Sequence, residues 1–111
     1  MKNPINIIFK AISNIGFKRS SRWPSVRGNW LKSNPRCSAC GSPKDVEVHH
    51  IKSFHEHPDL ELDDSNFITL CESIGSNHHL KIGHNFNGRT SWKVNNPDVV
   101  ASAKEKLFSG N

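Results

Sequence analysis

Val46-Glu47-Val48-His49-His50-Ile51 is the stretch whose reading decides the fold. Val46, Val48 and Ile51 predict a short strand. Two adjacent histidines are costly to keep on such a strand unless something uses them. Successive strand residues point to opposite faces, so His49 and His50 need different jobs or a bend at the strand's end. Downstream, Asn66-Phe67-Ile68-Thr69-Leu70-Cys71 predicts a second strand, antiparallel to the first. The intervening residues 52–65 are polar, contain Pro58 and form a long loop, which in a small domain is often functional. Gly75-Ser76-Asn77 is a turn, and a helix begins at about His78, carries His79, Leu80 and Ile82, and ends near Gly83.

Upstream lies Cys37-Ser38-Ala39-Cys40-Gly41, and Cys71 closes the second strand. Three cysteines cannot all pair with one another, and the two-residue spacing of Cys37 and Cys40 reads as a metal knuckle. Pro24 opens a helix over residues 25–33 that Asn34-Pro35 stops. Ile5, Ile8, Phe9, Ile12 and Ile15 recur at helical spacing, so residues 5–17 form an amphipathic helix suited to docking on the rest of the domain. A membrane surface is its weaker alternative use, because few lysines line its polar face. Phe86 and Trp92 are expected packing anchors in an Asn/Gly-rich segment. Asn96 caps a final helix with Pro97 at its first position and Val99, Val100, Ala103 and Leu107 along it.

At 111 residues and 34% hydrophobic composition the chain can bury only a modest core, which a metal staple would help to hold. A mean hydropathy of -0.60 and the lack of a long apolar run argue against a membrane span. The net charge is +5, unevenly spread: residues 1–44 carry nine Lys/Arg and no acid, whereas residues 45–111 carry six basic and ten acidic side chains. A basic segment, 1–36, thus precedes a His-rich domain, 37–111, and suits an anionic partner. A solubilising tail is the plainer alternative. The start has Lys10 inside its apolar stretch and no small-residue cleavage site, so the expected setting is cytoplasmic and reducing.

Taken together, the knuckle Cys37/Cys40/Gly41, Val48-His49-His50-Ile51, His57-Pro58-Asp59-Leu60-Glu61-Leu62, Asn66 to Cys71, His78-His79-Leu80 and Gly83-His84 follow one order. In that order the chain resembles the HNH endonucleases, and most closely the small cysteine-containing ones of phages and mobile elements. The resemblance implies an α+β fold: a ββα-metal (His-Me finger) core with a structural zinc knuckle, flanked by N-terminal and C-terminal helices. The family pattern usually has four knuckle cysteines. Here His78 stands where the fourth is expected, giving a Cys37/Cys40/Cys71/His78 zinc site.

By the same resemblance His49 and His79 hold a catalytic divalent ion, His50 is the general base, and Asn66 holds the loop and orients the base. His84 lies five residues beyond His79, off the ideal helical face, and can join the ion only if the helix ends or distorts there, which Gly83 permits. His55 and His57 are expected to be solvated or loop-capping, and Asp59, Glu61, Asp63 and Asp64 to form a solvated face.

The implied activity is hydrolysis of DNA phosphodiester bonds, leaving 5′-phosphate and 3′-hydroxyl ends. The ion would be magnesium, manganese, nickel, cobalt or zinc, and an all-His donor set favours the last four. Lys18, Arg19, Arg22, Arg27, Lys32 and Arg36 would track DNA phosphates. A non-catalytic zinc-stabilised DNA-binding module is the alternative. The expected setting is the bacterial host cell, with a homodimer or a phage packaging protein open as further partners.

Overall fold

The computed structural model describes residues 18–84 and 95–109. The expected helix over residues 5–17 and the anchors Phe86 and Trp92 lie outside these segments. The described chain is a small α+β fold with one two-stranded antiparallel sheet. Its elements are helix α1 (Trp23–Ser33), strand β1 (Val46–His50), strand β2 (Phe67–Cys71), a π-helical turn (His79–Gly83) and helix α2 (Val99–Ser109). Two 3-10 turns, Pro58–Leu60 and Asp64–Asn66, shape the loop between the strands. No helix among the described residues is long and apolar enough to cross a membrane.

The antiparallel pairing follows the sequence expectation, with Val46 opposite Cys71, His49 opposite Ile68 and His50 opposite Phe67. Each strand is about one residue shorter than the sequence pattern suggested, but the Ile51 N–H still donates to the Asn66 carbonyl (2.8 Å). Opposed residues share a face of the sheet, so the pairing assigns the two histidines to different sides. One face receives α1. Trp23 and Trp30 each meet Phe67 edge-on at 5.5 Å, and the Trp30 indole N–H donates to the Thr69 hydroxyl (2.9 Å). Thr69 in turn donates to the Asn34 carbonyl (2.8 Å), which ties the end of α1 to the middle of β2.

On the other side lies the apolar core: Ile68 and Leu70 of β2, Cys37 and Ala39 of the knuckle, and Val99 and Ala103 of α2, with Ile82 and Ile51 packed at its edge. Val99 and Ala103 are one helical turn apart, so α2 presents a single narrow apolar stripe. Burying a side chain the size of Leu70 contributes about 2 kcal/mol, so a core of this extent is thin.

Three local expectations are corrected. The element after β2 is a single π-helical turn and not an α-helix: the His84 N–H reaches back five residues to the His79 carbonyl (3.1 Å). Helix α2 starts at Val99, two residues late, after a turn at Pro97-Asp98, while Asn96 caps it as expected. Its Oδ1 accepts from the Asp98 N–H (2.9 Å), its Nδ2 donates to the Ile82 carbonyl (3.0 Å), and its backbone N–H donates to the Gly83 carbonyl (2.9 Å). Asn96 therefore welds the start of α2 to the π turn. Finally, Glu61 is not part of a solvated face but buried at 4% exposure.

Candidate metal centres and active-site cleft

The first cluster is built on the knuckle. The Ser38 N–H donates to the Thr69 carbonyl and the Gly41 N–H to the Cys37 carbonyl, both at 2.8 Å, which folds residues 37–41 back on β2. Gly41 takes φ of +78°, a left-handed turn that a side chain would strain. The donor atoms of Cys37, Cys40, Cys71 and His78 all lie within 4.8 Å of one another. His78 Nδ1 stands 3.6 Å from Cys37 Sγ and 3.4 Å from Cys71 Sγ. Sulfur and nitrogen ligands at ordinary zinc bond lengths on a tetrahedron are about 3.6 Å apart, so this cluster could hold a metal ion and its donors suit zinc.

Burial sets the ionisation of these groups, in different directions. Burial pushes the Cys37 thiol up to about 11. Burial also opposes ionisation of Cys71, but hydrogen bonds from the His78 and Ser73 backbone and the Ser76 hydroxyl outweigh it and bring its thiol below the usual value. Burial, aided by Lys106 and Lys81, keeps His78 neutral below its ordinary range. Neutral imidazole and thiolate are the forms a metal binds, and a bound cation would favour the thiolate at Cys37 as well.

The second cluster joins the opposite end of the sheet to the π turn. His49, His79 and His84 bring one ring nitrogen each within the same 4.8 Å. Their ring centroids are 4.8 to 4.9 Å apart in all three pairs. His84 thus joins the group, and the π turn is the reason: the wider winding returns a residue five positions on to nearly the same side. Gly83 permits the approach. A Cβ there would sit 3.1 Å from His49 Nδ1 and 3.1 Å from Leu70 Cδ1.

His79 Nδ1 is 2.7 Å from a Glu72 carboxylate oxygen. A carboxylate accepts, so Nδ1 carries the proton and the Nε2 lone pair is turned towards His49, whose Nδ1 lies 3.1 Å away. Two imidazole nitrogens sharing one ion would stand about 2.9–3.4 Å apart. His49 Nε2 is buried and has no hydrogen-bond partner among the described residues. Burial first, then the neighbouring His79, His84 and His50, push the His49 ring down to about 3. A ring held neutral by burial, with one nitrogen 3.1 Å from the His79 Nε2 and His84 alongside, fits a cation site.

His50 occupies the other face of β1. Its ring lies 4.7 Å from Trp23 and 5.3 Å from Phe67. Its Nε2 is 2.9 Å from the Glu61 carbonyl, which can only accept, so Nε2 is protonated and Nδ1 bears the lone pair. Burial lowers its pKa below the ordinary histidine value, and the positive charge of Arg19 adds to this, while the Glu61 carbonyl and carboxylate pull the other way. Glu61 works at both ends. Its carboxylate accepts from the Ser20 N–H (3.0 Å) and pairs with Arg19 (3.6 Å). The basic arm is thereby fastened to the residue that holds His50.

A cleft of about 410 Å³ opens where β1 ends. It is lined by His49, His50, His79 and His84 together with Arg19, Phe54, His55 and Asn95. The Arg19 guanidinium lies over the Phe54 ring at 4.2 Å. Asn66 clamps the loop: its Oδ1 accepts from the Lys52 N–H (2.8 Å) and its Nδ2 donates to the Lys52 carbonyl (3.0 Å). Both bonds go to the backbone just beyond His50, so Asn66 acts on that segment through the loop and not on the ring.

Of the cationic residues expected to meet phosphate, Arg19 alone lines this cleft. Arg27 is paired with Glu47 (2.9 Å) and Arg36 donates to the Gly41 carbonyl (3.0 Å). Lys18, Arg22 and Lys32 are exposed. Glu61, Glu72, Phe54 and Asn95 also shape the site, and no sequence motif singles them out for it. Asn95 donates to the His50 carbonyl (2.7 Å) and the Ile51 carbonyl (3.1 Å) and holds the end of β1. A carboxylate directly after Cys71, where β2 leads towards the second histidine pair, was the one signal that could have singled out Glu72.

Residues 37–73 match the family model described as HNH endonuclease. Over that segment the chain is similar to the HNH endonuclease family. The match spans the knuckle, both strand histidines, the loop with Asn66, and Cys71. It ends before His78, His79 and His84, which the structure brings to the HNH segment from outside the match. Comparison with curated proteins and with solved structures found no significant match.

Proposed function

We propose that this chain is a metal-dependent DNA endonuclease of the HNH type that hydrolyses phosphodiester bonds to 5′-phosphate and 3′-hydroxyl ends. The observation that carries the reading is the pairing, in one cleft, of a three-histidine cluster with a separately held His50. On this reading β1, β2 and the π turn are a ββα-metal unit in which the helix is reduced to one turn. His49, His79 and His84 hold a divalent ion, and the Cys37/Cys40/Cys71/His78 cluster holds structural zinc.

His50 takes the proton from the attacking water. The Glu61 carbonyl fixes its tautomer, and burial keeps the ring neutral and able to act as a base near pH 7. A divalent ion held by His49, His79 and His84 would supply Lewis-acid stabilisation of the charge that builds in the transition state. Arg19 faces the cleft as a phosphate contact, held in place by Glu61 below and Phe54 alongside. Asn66 and Asn95 hold the backbone of residues 50–52, at and just beyond His50. Three nitrogen ligands would leave positions on such an ion for water and substrate, as hydrolysis requires.

Supercoiled plasmid incubated with the protein and manganese, nickel, cobalt, zinc or magnesium tests this. Open-circular product should appear before linear product, since one site cuts one strand at a time. His79→Ala should abolish cleavage while the circular dichroism spectrum stays native. Plasmid retained on a gel but uncut with every ion would overturn the enzymatic reading in favour of the non-catalytic DNA-binding module.

A further inference from the structure

We infer that Glu72 is a positioning residue of the three-histidine site, fixing the tautomer and orientation of His79 so that its Nε2 is presented to the ion. This rests on the reading of His49, His79 and His84 as ligands and deepens it. The Glu72 carboxylate receives the His79 Nδ1 proton at 2.7 Å, a short charge-assisted hydrogen bond. A histidine ligand whose far nitrogen donates to a carboxylate is locked in one tautomer and made more basic at the metal-facing nitrogen. His79 needs such a lock. It begins a single π-helical turn, which has little rigidity of its own, and its ring is only partly buried.

Glu72 is well placed to supply it. Its backbone N–H donates to the Asp45 carbonyl (2.7 Å), so the residue is pinned where it leaves β2. It directly follows Cys71, and His79 directly follows His78. The two residues of the bonded pair are thus chain neighbours of two donors in the knuckle cluster. Whatever fixes Cys71 and His78 against each other also sets the spacing across which Glu72 reaches His79. Glu72 itself is exposed and outside the apolar core, which separates its role from folding.

The test uses the full chain with knuckle zinc loaded. Manganese or cobalt affinity is measured by calorimetry for wild type, Glu72→Gln, Glu72→Ala and His79→Ala, alongside zinc content and melting temperature. Glu72→Ala should bind the second ion about ten- to a hundredfold more weakly, at unchanged zinc content and melting temperature. Glu72→Gln keeps an acceptor without the charge and should fall between Glu72→Ala and wild type. Wild-type affinity in Glu72→Ala, with binding lost in His79→Ala, would overturn the role of Glu72 and leave the ligand reading standing. Binding unaffected by His79→Ala would overturn both.

Discussion

The Cys/His knuckle and the three-histidine cluster are built from neighbouring residues yet differ in what they leave open. The knuckle offers four donors, three of them buried, and packs into the apolar core through Cys37 and Cys71. The histidine cluster offers three donors at the mouth of a cleft, with a fourth histidine held apart on the other face of the strand. A closed four-donor set suits a structural ion, and an open three-donor set suits one that must admit water and substrate. The comparison teaches how a short chain divides labour. Cys71 and His78 face one site while their neighbours Glu72 and His79 serve the other, so a single β2-to-π-turn connection builds both.

Substitutions can break this division from either side. The largest effect is expected at the open site: His79→Ala should reduce cleavage to background at unchanged melting temperature, measured by plasmid nicking and thermal unfolding. The closed site should show the reverse pattern. Cys37→Ser should release about one zinc per chain by elemental analysis and lower the melting temperature by roughly 10 °C or more, since metal binding at such a site would be folding energy. If Cys37→Ser melted like wild type and kept its zinc, the knuckle would not be the structural site.

Gly83→Ala sharpens the comparison by striking the seam. Its Cβ would press on the His49 ring and on Leu70, both at 3.1 Å, and should cost about 1–3 kcal/mol in chemical denaturation while weakening binding of the second ion. A stable variant with full metal affinity would mean that the π turn has slack that the close approach denies. The smallest effect concerns pH. A general base works when neutral, and the His50 pKa lies below its ordinary value of 6.5, chiefly through burial. The acid limb of the cleavage rate should therefore lie below pH 6.5, and a bound cation nearby would move it further in the same direction. A limb above pH 6.5 in a rate profile would contradict the environment assigned to His50.

The parts of this molecule that the sequence made legible are those set by local periodicity and spacing. The alternation of Val46 and Val48, the run from Phe67 to Cys71 and the Cys37/Cys40 spacing each state their structure within a few residues. The opposed faces of His49 and His50 followed from strand geometry alone. The π turn was not legible, because its cause is tertiary. Gly83 lies against His49, and Asn96 pulls on the Ile82 and Gly83 carbonyls, from twelve or more residues away. The burial of Glu61 was hidden for a similar reason. Among Asp59, Asp63 and Asp64 it looks like one more surface charge, whereas Ser20 and Arg19, about forty residues earlier, pair with it in the fold. Arg27, Arg36 and Arg19 are alike in sequence, and their separation into two structural contacts and one cleft residue depends on where Glu47, Gly41 and Glu61 stand.

The proposed hydrolysis rests on His50 as the base, beyond what an ion bound by His49, His79 and His84 would contribute. Single-turnover cleavage of supercoiled plasmid with manganese, comparing wild type with His50→Ala at matched zinc content and matched affinity for the second ion, tests it most directly. The cleavage rate of His50→Ala should fall about 10²–10⁴-fold with metal binding intact. Cleavage by His50→Ala at the wild-type rate would contradict it.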